Sequence, residues 1–358
     1  MVRSVRVGHL ALAILGLGFV GAAAGLPLLA STPRPSPASG QVATADRLPT
    51  WRLEPLPSPA PLDVDRPART EAAEAGAPVR PAVTQPAVRL ALDPAPLLIA
   101  AGDIATCAGT ADDETARLVD QIPGTVLVVG DAVYPDGTAS EFAACYGPTW
   151  GRHLWRTRPV PGNHEYNSSG AEPYFAYFRG RGGAPGHPYY AFDVGEWRVY
   201  ALDSDCPAIG GCGPRSREGR WLRRDLASHP RRCSIAFMHH PRFSSGGHGG
   251  SASVAPLWAE LQAGGVDVVV SGHDHDYERF APQTNAGRRS ARHGIREFVV
   301  GTGGAPLRPI RTRRPNSQVR QATTHGVLVL ALRSTGYSWQ FVPVPGASFG
   351  DLGHAACH

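Results

Sequence analysis

The chain contains no lysine: all 35 basic residues among its 358 are arginine. With 42 glycines and 34 prolines, this is the compositional bias of a GC-rich genome and carries no mechanism. Charge is also scarce. Charged residues make up 18%, and the formal net charge of +5 divides into +2 over residues 1–31, zero over 32–97 and +3 over the remainder. That excess is too small for a nucleic-acid surface, yet it would not repel an anionic substrate. No Cys-x-x-Cys spacing occurs, which removes a zinc cluster. Ser244, Ser245 and Ser251 lack a surrounding Gly-x-Ser-x-Gly, which removes the common serine-hydrolase elbow. Gly301-Thr302-Gly303-Gly304 matches neither the Rossmann nor the P-loop pattern and reads as a tight turn. What remains is 42% hydrophobic, enough for a sizeable core and incompatible with wholesale disorder.

Residues 1–31 place Arg3 and Arg6 before an apolar run of about twenty residues, the pattern of a signal peptide or a membrane anchor. The chain is therefore expected to be secreted or extracytoplasmic, touching a membrane only through this segment if it stays uncleaved. Six cysteines (107, 145, 206, 212, 233 and 357) allow up to three disulfides in such a setting, and Cys206 with Cys212 is the expected pair across Gly210-Gly211. Residues 32–96 form a Pro/Ala-rich linker. Fourteen prolines fall within 33–96, a composition that favours extended conformations and cannot bury a core.

From Leu97 the texture changes. Short apolar runs (LLIAAGD, TVLVVGD, RPVPGNH, SIAFMHH, VDVVVSGHDH, EFVVGTGG) each end in a polar cluster, as buried strands do. Helix-like stretches at 112–121 and 214–228 lie between them, with Asp112, Asp113 and Glu114 suited to a helix N-terminus. Alternating strands and helices predict an α/β domain over 97–345, followed by a tail at 346–358. Ligands in such domains gather at the carboxyl ends of strands. The residues there are Asp103, Asp131, Tyr134, Asn163, His239, His273 and His275. They outnumber the three or four that one zinc ion uses and point to a two-metal centre in which Asp131 can bridge. Asp203 and Asp205 end a strand away from this set and read as structural.

Taken in order, Gly102-Asp103, Gly130-Asp131-x-x-Tyr134, Gly162-Asn163-His164-Glu165, Phe237-Met238-His239 and Gly272-His273-x-His275 resemble the calcineurin-like metallophosphoesterases, specifically the purple acid phosphatase branch. The likeness runs from about Leu97 to Pro343. It implies a four-layer α/β/β/α sandwich and two metal ions. One is Fe(III), held by Asp103, Asp131, Tyr134 and His275; the other is divalent Fe, Zn or Mn, held by Asp131, Asn163, His239 and His273. It further implies hydrolysis of phosphate monoesters on a phosphorylated small molecule by a metal-bound hydroxide, with His164 as a substrate-facing catalytic histidine. His248 matches a second such histidine, in a Gly-rich region that departs from the plant sequences. The plant members' N-terminal sandwich domain is replaced by the proline-rich stretch. A phosphodiesterase or nucleotide hydrolase on the same centre is the alternative; a non-catalytic envelope protein would be expected to have lost a ligand or His164, and none is missing. Nine arginines against Glu297 between Arg288 and Arg320 read as a solvated loop that can border the cleft.

Overall fold

The structure is a computed structural model that describes residues 94–358. Segment 1–31, and the linker up to residue 93, lie outside the described residues. No helix among the described residues is long and apolar enough to cross a membrane.

Two mixed sheets carry the architecture. The first is six-stranded, in the order Asp351–Ala356 (β15), Gly336–Pro343 (β14), Gly326–Arg333 (β13), Leu97–Ala101 (β1), Thr125–Val129 (β3) and Thr157–Val160 (β5). Here β1, β3 and β5 run parallel, whereas β13 is antiparallel to β1. The second is seven-stranded: Ser317–Gln321 (β12), Tyr277–Phe280 (β10), Arg296–Val300 (β11), Val268–Ser271 (β9), Ser234–Phe237 (β8), Trp197–Ala201 (β7) and Tyr190–Val194 (β6). Its central strands β7, β8, β9 and β11 are parallel. Two short strands, Ala105–Thr106 (β2) and Val133–Tyr134 (β4), pair just beyond the tips of β1 and β3.

Alternation along the central strands sets the layers. Ile235 and Phe237 of β8, with Val268 and Val270 of β9, join Val126, Val128, Val327 and Val329 of the first sheet in one core. The intervening Ala236, Met238 and Val269 face the other way and pack with Leu222, Leu257, Trp258 and Leu261. Those last residues belong to helices Arg217–Ser228 (α3) and Ala255–Ala263 (α4). Successive strand residues point to opposite faces, so continuous apolar runs cover both sides. Ala116, Leu118 and Val119 of helix Ala111–Gln121 (α1) cover the first sheet in the same way. The predicted four-layer α/β/β/α sandwich is the fold observed. The two expected helices form, α1 with Asp112, Asp113 and Glu114 in its first turn and α3 with the Ser216 side chain accepting from Gly219 N. A further helix, Glu172–Phe178 (α2), lies between β5 and β6.

The sequence reading of 346–358 as a tail needs correction. Residues 351–356 form β15, paired with β14 from Phe341↔Asp351 to Gly336↔Ala356. The apolar pattern is inverted there: Leu352 is exposed while Asp351 is buried against Arg279 and the Tyr277 hydroxyl. Three disulfides tie the domain: Cys107–Cys145, Cys206–Cys212 as expected, and Cys233–Cys357.

A buried acid in α3 gives the fold a pH signature. Glu218 accepts from Asp203 N at 2.8 Å, and its Oε2 is buried without a partner. Burial, then the charge of Asp203, raises its pKa well above the usual 4.5, and burial pushes Asp203 up to about 7. Both groups hold their protons more tightly folded than unfolded. Stability is therefore greatest below the unfolded carboxylate pKa and falls as pH rises toward the folded values, by at most about 1.4 kcal/mol per pH unit for each group. Glu218→Gln is expected to flatten this fall. Thermal melts between pH 5 and 8 check it, and a variant slope equal to wild type would refute the assignment.

Candidate metal centre

The site lies where strands of both sheets end. Asp103 follows β1, Asp131 follows β3, Asn163 follows β5, His239 follows β8, and His273 and His275 follow β9. Asp103, Asp131 and His273 adopt positive φ values of 59°, 47° and 70°. Non-glycine residues rarely hold this region, and such strain collects where side chains must be aimed. Each turn also needs a glycine. Gly130 has φ of 77°, and a Cβ there would come within 2.5 Å of His239 Nδ1; at Gly162 it would come within 2.2 Å of Asp131 Oδ1.

All seven sequence-predicted ligand residues are brought together. The Tyr134 hydroxyl donates to Asp103 Oδ1 at 2.7 Å and to Asp131 Oδ2 at 3.0 Å, and lies 3.2 Å from His275 Nε2. His275 Nε2 is 3.3 Å from Asp103 Oδ1. On the other side of Asp131, Oδ2 is 3.2 Å from His239 Nε2. The same nitrogen sits 3.1 Å from Asn163 Oδ1 and 3.2 Å from His273 Nδ1. Two donor sets thus share Asp131. The far ring nitrogens are fixed by carbonyls, His239 Nδ1 to Val129 O at 3.0 Å and His275 Nδ1 to Pro306 O at 2.8 Å, which turns each Nε2 inward.

Electrostatics follow from this crowding. Burial raises the Asp131 carboxyl, but the charge of His239 and its hydrogen bond outweigh that and hold it well below the usual range. Asp103 is likewise lowered, with His275 overcoming burial. Burial disfavours a charged His239, yet Asp131 raises it to about 10. Burial and then the His239 charge push His273 down to about 2 and His240 to about 3. Tyr134 is raised well above 10 by burial and by Asp103 and Asp131.

Two histidines flank the cage. His164 packs against Tyr134 with ring centroids 4.3 Å apart and planes tilted by 53°. Its Nδ1 faces Pro135 O at 2.5 Å, and its Nε2 lies 3.9 Å from Asp131 Oδ2. His248 packs on the His273 ring at 4.5 Å, and its Nε2 meets the Arg308 guanidinium. His240 contacts the His273 ring and is held by Ser204. The Gly301–Gly304 turn is indeed a close backbone approach: a Cβ on Gly301 would fall 2.8 Å from Asp103 Oδ2.

Supporting carboxylates surround the cage, of which only Glu165 stood in a quoted motif, as the last residue of Gly162-Asn163-His164-Glu165. Glu165 is fully buried and accepts from Asp131 N at 3.0 Å, Gly162 N at 2.7 Å and Ala132 N at 2.8 Å, locking the bridging turn. Asp274 accepts from His248 N and Gly249 N, and Glu278 from Ser245 N. Glu297 accepts from Arg242 N and Phe243 N. Ser244 and Ser245 spend their hydroxyls on Asp274 and Glu278, in keeping with the exclusion of a serine nucleophile. Asp203 and Asp205, read as remote, lie close enough to be influenced by His239, and Asp203 accepts from the Tyr166 hydroxyl.

A sandwich with two donor sets at its strand tips defines a metallophosphoesterase, and the chain belongs to the calcineurin-like phosphoesterase family, which it matches over residues 97–277. Its relatives include purple acid phosphatase 21 of Arabidopsis thaliana, 29% identical over 63% of this chain and 56% of the relative. Purple acid phosphatase 15 of the same plant is 27% identical over 50% of this chain and 40% of the relative. The chain thus spans about half the length of these curated relatives. Among solved structures, a purple acid phosphatase from yellow lupin seeds superposes with a TM-score of 0.55 at 16% identity, covering 70% of this chain and 52% of that one. GAP50, the anchor in the inner membrane complex of Plasmodium, gives 0.53 at 15% identity, covering 72% and 88%. A shared fold therefore accompanies both an enzyme name and an anchor name, and the side chains must decide the function.

Proposed function

We propose that this protein is an extracytoplasmic dinuclear metallophosphohydrolase acting on phosphate monoesters of small molecules. The observation that carries the reading is the pair of donor sets meeting at Asp131 Oδ2, with contacts of 2.7–3.3 Å between neighbouring donors. The donors fit two cations. Asp103, Asp131, Tyr134 and His275 are mostly hard oxygen and suit Fe(III); Asp131, Asn163, His239 and His273 suit a divalent Fe, Zn or Mn. When bound, such a pair neutralises phosphate oxygens and lowers the pKa of water. The protein's own contribution starts with Glu165, which fixes the turn that aims Asp131. His164 is oriented by Pro135 O so that Nε2 faces the cage, where it can deliver a proton to the departing alkoxide. Three disulfides suit an oxidising compartment.

The visible spectrum of the purified protein tests the reading. A broad band in the green that shifts on adding phosphate and vanishes in Tyr134→Phe is expected, together with faster hydrolysis of p-nitrophenyl phosphate than of its bis ester. A colourless, metal-replete protein would overturn the iron–tyrosine assignment, and a preference for the bis ester would favour a phosphodiesterase.

A further inference from the structure

The segment after β11 runs alongside the His248 loop and presents guanidinium groups to it at regular intervals. Arg308 meets His248 Nε2 at the edge of the metal cage. Arg311 Nε lies 3.8 Å from where a Cβ of Gly247 would be, and Arg314 Nη2 lies 3.6 Å from that of Gly249. Gly250, next along, lines a cavity of about 310 Å³ together with Arg242, Phe243, Ser244, Gln283 and Arg314. Two Cα steps of 3.80 Å separate His248 from Gly250, so this wall begins within about 7.6 Å of the loop's histidine.

The cavity is built of donors. Among the described residues the Arg242 guanidinium hydrogen-bonds to the neutral Asn285, through Nε to Oδ1 and Nη2 to the backbone O, both at 3.0 Å, and lies over the Phe243 ring at 4.7 Å. Arg314 Nε binds Ser244 O at 3.2 Å, which leaves both of its terminal nitrogens without a hydrogen-bond partner among the described residues. Gln283 is fully buried; its Oε1 accepts from Asn316, while its Nε2 has no hydrogen-bond partner among the described residues. The nearest acids, Asp274, Glu278 and Glu297, are turned toward backbone N–H groups of the loop. Among the described residues none of them forms an ion pair with these arginines. Two guanidinium forks and an amide NH₂, none of them in an ion pair among the described residues although the Arg242 charge is felt by Glu297, match a ligand that only accepts hydrogen bonds and carries negative charge.

We infer that the cavity bounded by Arg242, Arg314 and Gln283 is a second phosphoryl subsite, so that the preferred esters carry a further phosphate beyond the one at the metal cage. This rests on the phosphohydrolase reading for its substrate, though not for its binding. The row Arg308, Arg311 and Arg314 bridges the two positions and keeps a polyanionic ester in register.

The test compares fructose 1,6-bisphosphate with fructose 6-phosphate on the metal-loaded protein, wild type and Arg314→Gln, with Arg242→Gln as a second variant. Removing one charge-assisted hydrogen bond costs about tenfold or more. Wild type should favour the bisphosphate in kcat/KM by at least that factor, and each variant should lose about tenfold of the preference. Equal handling of the two sugars by wild type, or an equal fall for both in the variants, overturns the subsite. Should the protein hydrolyse neither sugar nor p-nitrophenyl phosphate, the phosphohydrolase reading fails separately. Calorimetry then decides the subsite: bisphosphate binding weakened about tenfold by Arg314→Gln supports it, and unchanged binding refutes it.

Discussion

Replacing Asp131 by Ala is expected to empty both cation positions at once and to lower phosphatase kcat/KM by about a thousandfold or more, on the scale of losing a principal transition-state stabiliser. One oxygen, Oδ2, stands 3.0 Å from the Tyr134 hydroxyl and 3.2 Å from His239 Nε2, so a single side chain completes both donor sets. The other, Oδ1, accepts from His164 N at 2.9 Å, so Ala also releases the loop that carries His164. Asp131→Asn separates the two effects, because an amide oxygen keeps the His164 hydrogen bond while the bridging charge is lost. Metal analysis should show the same depletion in Asn and Ala variants, whereas Asn163→Ala should affect mainly the divalent position. Retention of a full equivalent of either ion by Asp131→Ala would mean that the carboxylate is not shared.

His164→Ala should behave differently. No contact of its ring nitrogens other than the 3.9 Å approach to Asp131 reaches the cage, so the metals are expected to stay. Turnover should fall by about 100- to 10,000-fold, the usual worth of a general acid. The loss should be largest for alkyl phosphates and smallest for p-nitrophenyl phosphate, whose leaving group needs little protonation. A purely structural histidine would not produce that dependence on the leaving group. A metal-free variant, or one with equal losses on both substrates, would remove His164 from the role.

Much of this centre was legible because its chemistry sits at strand tips. Each apolar run announces a buried strand, and the polar residue after its glycine is held at the same end of the sandwich as every other. Helices α1 and α3 were readable from their composition, and Cys206–Cys212 from its short span. The supports were less readable. Glu278 and Glu297 act on backbone N–H groups contributed by other segments, and nothing in their neighbouring residues records those partners; Glu165 stood in the Gly162-Asn163-His164-Glu165 motif, but its bonds to Asp131 N and Ala132 N did not show there. Strand β15 was missed for a related reason: its inward residue is Asp351, paired with Arg279, and its one large apolar side chain points to solvent. The Arg288–Arg320 stretch read as a solvated loop. In the structure it divides: Arg296 is buried and bonded to Phe280 O, while Arg308 and Arg314 line the face beside the cage.

The pairing of β1 with β13 has a consequence for biogenesis. The first strand of the domain lies inside its sheet, and Leu97 finds its antiparallel neighbour only at Ala331. Cys233 finds its partner at Cys357, a sequence separation of 124. A ribosome must therefore reach Ala331, more than two hundred residues on, before the opening strand can be enclosed. Until then β1 exposes an unmatched apolar edge, so its sheet closes late, in a step open to holdase chaperones.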